Sequence, residues 1–210
     1  RSVPYQAPLA GTVLSARFEN DGVPVRQVTP RQNECLRRFL QDPAIRFEAR
    51  RACPLCAATE TLLIARKERT GLPLTTVSCT RCGLLRSYEQ MDEPSARRFY
   101  ADYYRAIEED LEEQADVIDR RYTAEEHTSI PRFVHSRELV VEIGCGGGWK
   151  LIPYLRRNIR HIGFDYDERF IEQGRARGLT LAPGGLPQAI ARGITADYLV
   201  LGHVLEHTPD

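Results

Sequence analysis

From residue 139 onward the apolar positions fall into blocks that alternate between a strand period and a helix period. Leu139 to Ile143 predicts a buried strand, Gly144 to Gly148 a glycine turn, and Trp149 to Arg157 a helix. His161 to Phe164 predicts a second strand and Asp167 to Arg177 a second helix. A strand at Leu179 to Ala182, a short helix at Gln188 to Arg192 and a strand at Tyr198 to Leu201 follow. This βαβαβ order predicts an α/β fold with a doubly wound parallel sheet and right-handed crossovers. Pro153 lies inside the first predicted helix, where it removes a backbone donor and predicts a kink.

Upstream of residue 139 the pattern is broken and mixed. Pro4, Pro8, Gly11, Gly22 and Pro24 punctuate residues 1–28, predicting an extended arm with a short hairpin at Asn20-Asp21-Gly22. Thr29 suits a helix cap, Pro30 suits the first helical position, and Cys35, Leu36, Phe39 and Leu40 form one stripe, so a helix is expected over 30–41. Strand-like runs at Leu62 to Ile64 and Leu74 to Val77 lie within a cysteine-bearing segment. Glu93-Pro94 then opens a polar stretch in which Phe99, Tyr103, Ile107, Leu111 and Ile118 recur at helical spacing, until Ser129-Ile130-Pro131 interrupts it. The chain is accordingly divided into an arm and helix (1–52), a cysteine module (53–88), a helical connector (89–135) and the α/β domain (136–210).

The 210 residues and 42% hydrophobic content suffice for one ordinary core plus a small module. No run approaches the ~18 apolar residues of a membrane span, and the amino-terminus lacks a secretory pattern, so no membrane partner and a cytoplasmic location are expected. A formal net charge of zero projects no long-range field toward nucleic acid. Locally, eleven Arg/Lys against five Asp/Glu make residues 31–86 basic, whereas thirteen Asp/Glu against five Arg make 89–126 acidic. The chain opens on Arg1 and stops at Asp210 just after a polar motif, so both ends are expected to be cut.

Cys53-Pro54-Leu55-Cys56 and Cys79-Thr80-Arg81-Cys82 are two C-x2-C knuckles separated by 22 residues. Each places two thiolates on one side of a tight turn, and two facing knuckles complete a tetrahedral zinc site with no open position. A structural Zn²⁺ held by Cys53, Cys56, Cys79 and Cys82 in a zinc ribbon is therefore expected in preference to disulfides. Cys35 is expected in the core and Cys145 in the glycine turn.

That turn, Glu142-Ile143-Gly144-Cys145-Gly146-Gly147-Gly148-Trp149, ends an apolar strand. A dinucleotide fingerprint would need glycine where Trp149 stands, and a phosphate loop would need Gly-Lys-Ser/Thr. The carboxylate two residues before Gly144 suits a cationic or amino-bearing ligand better than a pyrophosphate. Asp165, 21 residues after Gly144, stands where an acid can accept hydrogen bonds from ribose hydroxyls.

On these residues the chain resembles the class I S-adenosylmethionine (SAM) dependent methyltransferase family. VVEIGCGGG is similar to the family's first motif, IGFDYD to its second and DYLVLGHVLEHTPD to its fourth, in order, over residues 139–210. The resemblance implies a Rossmann-like sheet, incomplete at the carboxyl end, and SAM as cofactor. It implies that Gly144, Cys145, Gly146 and Gly148 wrap the methionine part and that Asp165 binds the ribose, with Tyr166 of the same motif in the cofactor set. Glu142 is implied to orient the turn, partly by accepting hydrogen bonds.

His203, Glu206 and His207 are the concentrated candidates for a general base toward a hydroxyl acceptor. The competing interpretation is that HVLEH caps the strand and shapes the pocket. Relatives that bind Mg²⁺ here are similar but carry Glu at the position of His203, and His disfavours a hard cation. The runs CPLC, GLPLTTVSCTRCGLL and RRFYADYY resemble the zinc segment of bacterial methyltransferases acting on sugars or small metabolites. This implies that the segment covers the acceptor, with Tyr100, Tyr103 and Tyr104 as candidate lining. The expected activity is methyl transfer to a small-molecule or glycan-precursor acceptor. Its rivals are an RNA methyltransferase gripping RNA through the basic module, disfavoured by the lack of an aromatic-basic signature, and a non-catalytic SAM-binding or assembly module.

Overall fold

The computed structural model describes residues 11–108, 115–123 and 134–207, which form two compact units divided between residues 108 and 115. Leu111 and the Ser129-Ile130-Pro131 break lie outside the described residues.

In the first unit, a short 3₁₀ turn at Ala16–Phe18 leads into a bend at Asn20 to Gly22 with no paired strands, so the expected hairpin does not form. The Asp21 carboxylate accepts from the Val23 amide at 2.9 Å and pairs with the buried ammonium of Lys67, which ties the bend to the body instead. Helix α1 (Pro30–Gln41) begins as expected. Thr29 Oγ1 accepts from the Gln32 amide at 3.2 Å while the Gln32 side chain accepts from the Thr29 amide at 2.9 Å, satisfying both ends of a capping box.

Strand β1 (Phe47–Ala49) follows, then β2 (Thr61–Ala65), β3 (Thr76–Cys79), β4 (Leu85–Ser87) and β5 (Glu89–Met91). The middle three form an antiparallel sheet in the order β2-β3-β4, while β1 pairs antiparallel with β5. Helices α2 (Glu93–Asp102), capped by Asp92, and α3 (Tyr104–Glu108) complete the unit.

One core joins Cys35, Leu36 and Phe39 of α1 to Ile45, Leu72, Tyr103 and Ile107. Tyr103 is thus core: its hydroxyl donates to Asp42 Oδ2 at 2.7 Å, and that bond, with the Ala44 amide and the Arg98 guanidinium, holds the Asp42 carboxyl down at about 2. The half-buried rings of Tyr100 and Tyr104 pack edge-on and tilted with each other and with Phe99.

The second unit starts with α4 (Ala115–Thr123), and then builds one sheet from β6 (Leu139–Ile143), β7 (Arg160–Asp165), β8 (Leu181–Pro183) and β9 (Tyr198–Leu201). Its order is β8-β7-β6-β9, and every pair is parallel. Helices α5 (Ile152–Arg156), α6 (Glu168–Arg175) and α7 (Leu186–Ala191) connect the strands.

Alternation along the strands sends Val140 toward Tyr154 of α5 and Ile171 of α6, and Val141, Ile143 and Phe164 toward Ala189 of α7. Both faces of the sheet are therefore covered, the arrangement that continuous apolar parallel strands require. The predicted helix from Trp149 is broken: residues Trp149–Leu151 make one 3₁₀ turn, and α5 starts after it with Pro153 in its first turn, where the missing N–H has no partner to lose. Among the described residues no helix is long and apolar enough to cross a membrane.

Candidate functional site

The two cysteine knuckles are built alike. The Cys53 carbonyl accepts from the Ala57 amide at 2.8 Å, and the Cys79 carbonyl accepts from the Gly83 amide at 2.9 Å. The Cys53 amide donates to Ala58 at 2.8 Å, and the Cys79 amide to Leu84 at 2.9 Å. In both, the residue after the second cysteine is left-handed, with φ of 59° at Ala57 and 77° at Gly83.

The four Sγ atoms all lie within 4.8 Å of one another, with 3.6 Å between Cys53 and Cys82 and 3.5 Å between Cys56 and Cys79. None is bonded to another. A tetrahedral Zn–S shell with bonds of about 2.3 Å has sulfur–sulfur edges of roughly 3.8 Å, so the cluster has the dimensions of such a shell. The Cys82 amide, pointing at the Cys79 sulfur, lowers that thiol, while the three neighbouring thiols push Cys82 up. These four cysteines could hold a metal ion such as zinc.

At the carboxyl edge of the parallel sheet, the strand ends converge. The turn after β6 reverses through Gly144, Gly146 and Gly148, at φ of 69°, 56° and 76°, values that a side chain would strain. The amides of Gly144 and Cys145 both donate to the Phe164 carbonyl, at 2.8 and 3.0 Å, binding the turn to β7. Cys145 sends its side chain into the core beneath Gly163, not toward the crevice.

The acid that holds the turn is Asp165. Its Oδ2 accepts from the Gly146 amide at 2.6 Å and its Oδ1 from the Asp167 amide at 2.9 Å. Glu142, expected to fix the turn by accepting hydrogen bonds, is only 2% exposed and its Oε2 is buried with no hydrogen-bond partner. The reason is its place within β6, in register with Gly163 and Val200, below the level of the turn amides. Burial pushes the Glu142 carboxyl up to about 8; Lys150 pulls against that rise and Asp165 adds to it.

Tyr166 lies against the turn that follows β8, where a Cβ on Gly185 would come within 2.7 Å of its hydroxyl. That turn was not anticipated as part of the site, although the Gly184 amide donates to the Asp165 carbonyl at 2.8 Å. The signal was present as a glycine pair directly before Leu186-Pro187. Lys150, in the turn after Trp149, carries no comparable local signal.

His203 follows β9 at a φ of 58°, with its side chain exposed, and His207 is exposed in the 3₁₀ turn Leu205–His207 that also contains the Glu206 backbone. Val204 turns inward, its Cγ2 so close to Gly144 that a Cβ there would sit 2.4 Å away. Of these residues His203, Leu205 and His207 are exposed, and Val204 packs on the glycine turn.

Helix α4 braces the turn. The Tyr122 hydroxyl donates to the Gly147 carbonyl at 2.8 Å, Arg121 lies 4.8 Å above the Trp149 ring, and Arg177 lies 4.2 Å from the Tyr122 ring. No known family profile matches the chain, and no curated protein matches it.

Proposed function

We propose that the second unit is the cofactor-binding part of a Rossmann-like, class I SAM-dependent methyltransferase, and that the four cysteines of the first unit hold a structural zinc ion. The observation that carries the cofactor reading is Glu142: a buried carboxylate with an unpartnered oxygen, beneath a turn of left-handed glycines. An uncompensated buried carboxyl is costly, and a ligand that brings a positive charge or an N–H relieves the cost. A pyrophosphate would aggravate it. Asp165, which accepts from the Gly146 and Asp167 amides, is the acid at the ribose position, and Tyr166 with Gly184 and Gly185 forms the next stretch of wall.

Bound there, SAM supplies a methyl group on a sulfonium sulfur. The chain's own part is to hold the cofactor by Glu142, the glycine turn, Asp165 and Tyr166, and to align the acceptor. His203, Glu206 and His207 follow the strand that borders this crevice, and exposed His203 is the candidate base for a hydroxyl acceptor. A small molecule or glycan precursor is the favoured acceptor. The RNA reading loses ground because several basic groups of residues 31–86 are committed internally. Arg86 donates to the carbonyls of Arg50 and Arg51, Arg66 to that of Gly11, and Lys67 is buried against Asp21.

Calorimetry on the zinc-loaded chain with SAM and S-adenosylhomocysteine tests the reading. Saturable 1:1 binding that is lost in Glu142→Ala supports it, and absence of binding by folded protein overturns it. Binding without methyl transfer to any acceptor would leave an assembly module. His203→Ala is expected to lower turnover more than cofactor affinity.

A further inference from the structure

A third charge stands at the same edge. Lys150 follows Trp149 in the 3₁₀ turn, half-buried, and its ammonium reaches the end of β9. There it packs so closely that a Cβ on Gly202 would fall 2.4 Å from Nζ. The same ammonium is near enough to Glu142 to draw that carboxyl back toward ionisation. From β9 to β7 the charges therefore run Lys150, then Glu142 buried just beneath the edge, then Asp165, in the strand order β9-β6-β7.

This arrangement deepens the cofactor reading, on which it rests. If ribose hydroxyls go to Asp165, the remainder of the ligand extends over β6 toward β9. An α-amino-acid head group placed there carries one ammonium and one carboxylate. Glu142 answers the first charge, and a carboxylate beside Glu142 alone would be repelled. Lys150 sits where the second charge must go, and an ammonium on a flexible stem suits a single carboxylate oxygen.

We propose that Lys150 is a specificity-determining residue: its ammonium receives the carboxylate of an α-amino-acid head group whose own ammonium faces Glu142, so that the site selects ligands carrying both charges.

The test is calorimetry on the full zinc-loaded chain with three probes: S-adenosylhomocysteine, its decarboxylated analogue, and methylthioadenosine, which lacks the amino-acid head. Wild type is expected to bind S-adenosylhomocysteine most tightly. Lys150→Met is expected to weaken that ligand about tenfold to hundredfold while moving the other two by less than about twofold, as for loss of one charge-assisted bond. Lys150→Arg should restore most of the loss. Lys150→Gln, which keeps a polar head without the charge, should show the same selectivity as Lys150→Met and serves if that variant is unstable. An equal loss for all three probes, or no loss for S-adenosylhomocysteine, overturns the proposal while leaving the cofactor reading intact. Failure of wild type to bind any of the three overturns both.

Discussion

The hydroxyl of Tyr122 and the carbonyl of Gly147, 25 residues apart in sequence, meet at 2.8 Å, so that a helix preceding the sheet holds its glycine turn. Tyr122→Phe is expected to cost about 0.5–1.5 kcal/mol of unfolding free energy, the ordinary net worth of one hydrogen bond. Gly147→Ala is expected to cost more, since its Cβ would lie 2.3 Å from that hydroxyl oxygen. Phe at 122 removes the obstructing atom, so the double variant should be less destabilised than the sum by about 1 kcal/mol, read from urea melts of all four proteins. Strict additivity would place Tyr122 elsewhere.

Glu142 predicts a pH dependence whose sign follows from its raised value. Its carboxyl titrates at about 8 in the fold against 4.5 ordinarily, so the folded chain binds a proton that the unfolded chain releases across that window. Stability contributed by this group is present below about pH 4.5, falls as pH rises through the window, and is lost above about 8. Glu142→Gln should flatten the profile and stabilise the ligand-free protein by several kcal/mol at most near pH 8.5, measured by denaturant titration. The same variant should bind SAM more weakly. Wild-type affinity should rise with pH over that window as the carboxylate forms, with proton release in calorimetry; affinity independent of pH would contradict the assignment.

The paired knuckles predict opposite effects of mirror substitutions. Ala57 occupies the left-handed position that Gly83 fills in the other knuckle, so Ala57→Gly should stabilise by about 1 kcal/mol and Gly83→Ala destabilise by a similar amount. Gly83 has no atom within 4 Å of a built Cβ, so the cost there is conformational and not steric. In chelator competition each change should shift zinc affinity by up to about tenfold, in those directions. Removing zinc should expose Cys53, Cys56, Cys79 and Cys82 to a thiol reagent while Cys35 and Cys145 stay buried; six reactive thiols would show that the metal holds the whole chain.

What could be seen in the sequence was whatever has a local period or spacing. Leu139 to Ile143 and Tyr198 to Leu201 are strands at the expected bounds, because continuous apolar residues flanked by turn signals leave few alternatives. Thr29 and Pro30 marked a helix start for the same local reason. Strands β1, β4 and β5 were not visible: each is three residues long, and β1 exists only by pairing with β5, a partner about forty residues away. In the site, strand ends located Asp165 and the glycines. The division of labour between Glu142 and Asp165 was hidden, since it depends on depth below the turn. Lys150 was hidden because its head reaches a strand that sequence spacing cannot bring near.

The β1–β5 ladder sets Ala49 opposite Glu89, so everything from residue 50 to residue 88 departs from and returns to one place in the fold. Such a segment behaves as an insert in a socket. It can be lengthened, trimmed or exchanged without re-threading the helices around it, provided the replacement still offers an apolar plug where Leu72 enters the core of α1 and α3, and keeps the stretch from Ile64 to Arg69 on which residues 11–26 are tied. For evolution or for an engineer, the four-cysteine excursion is the exchangeable part of this unit, and the strand pair is its mounting.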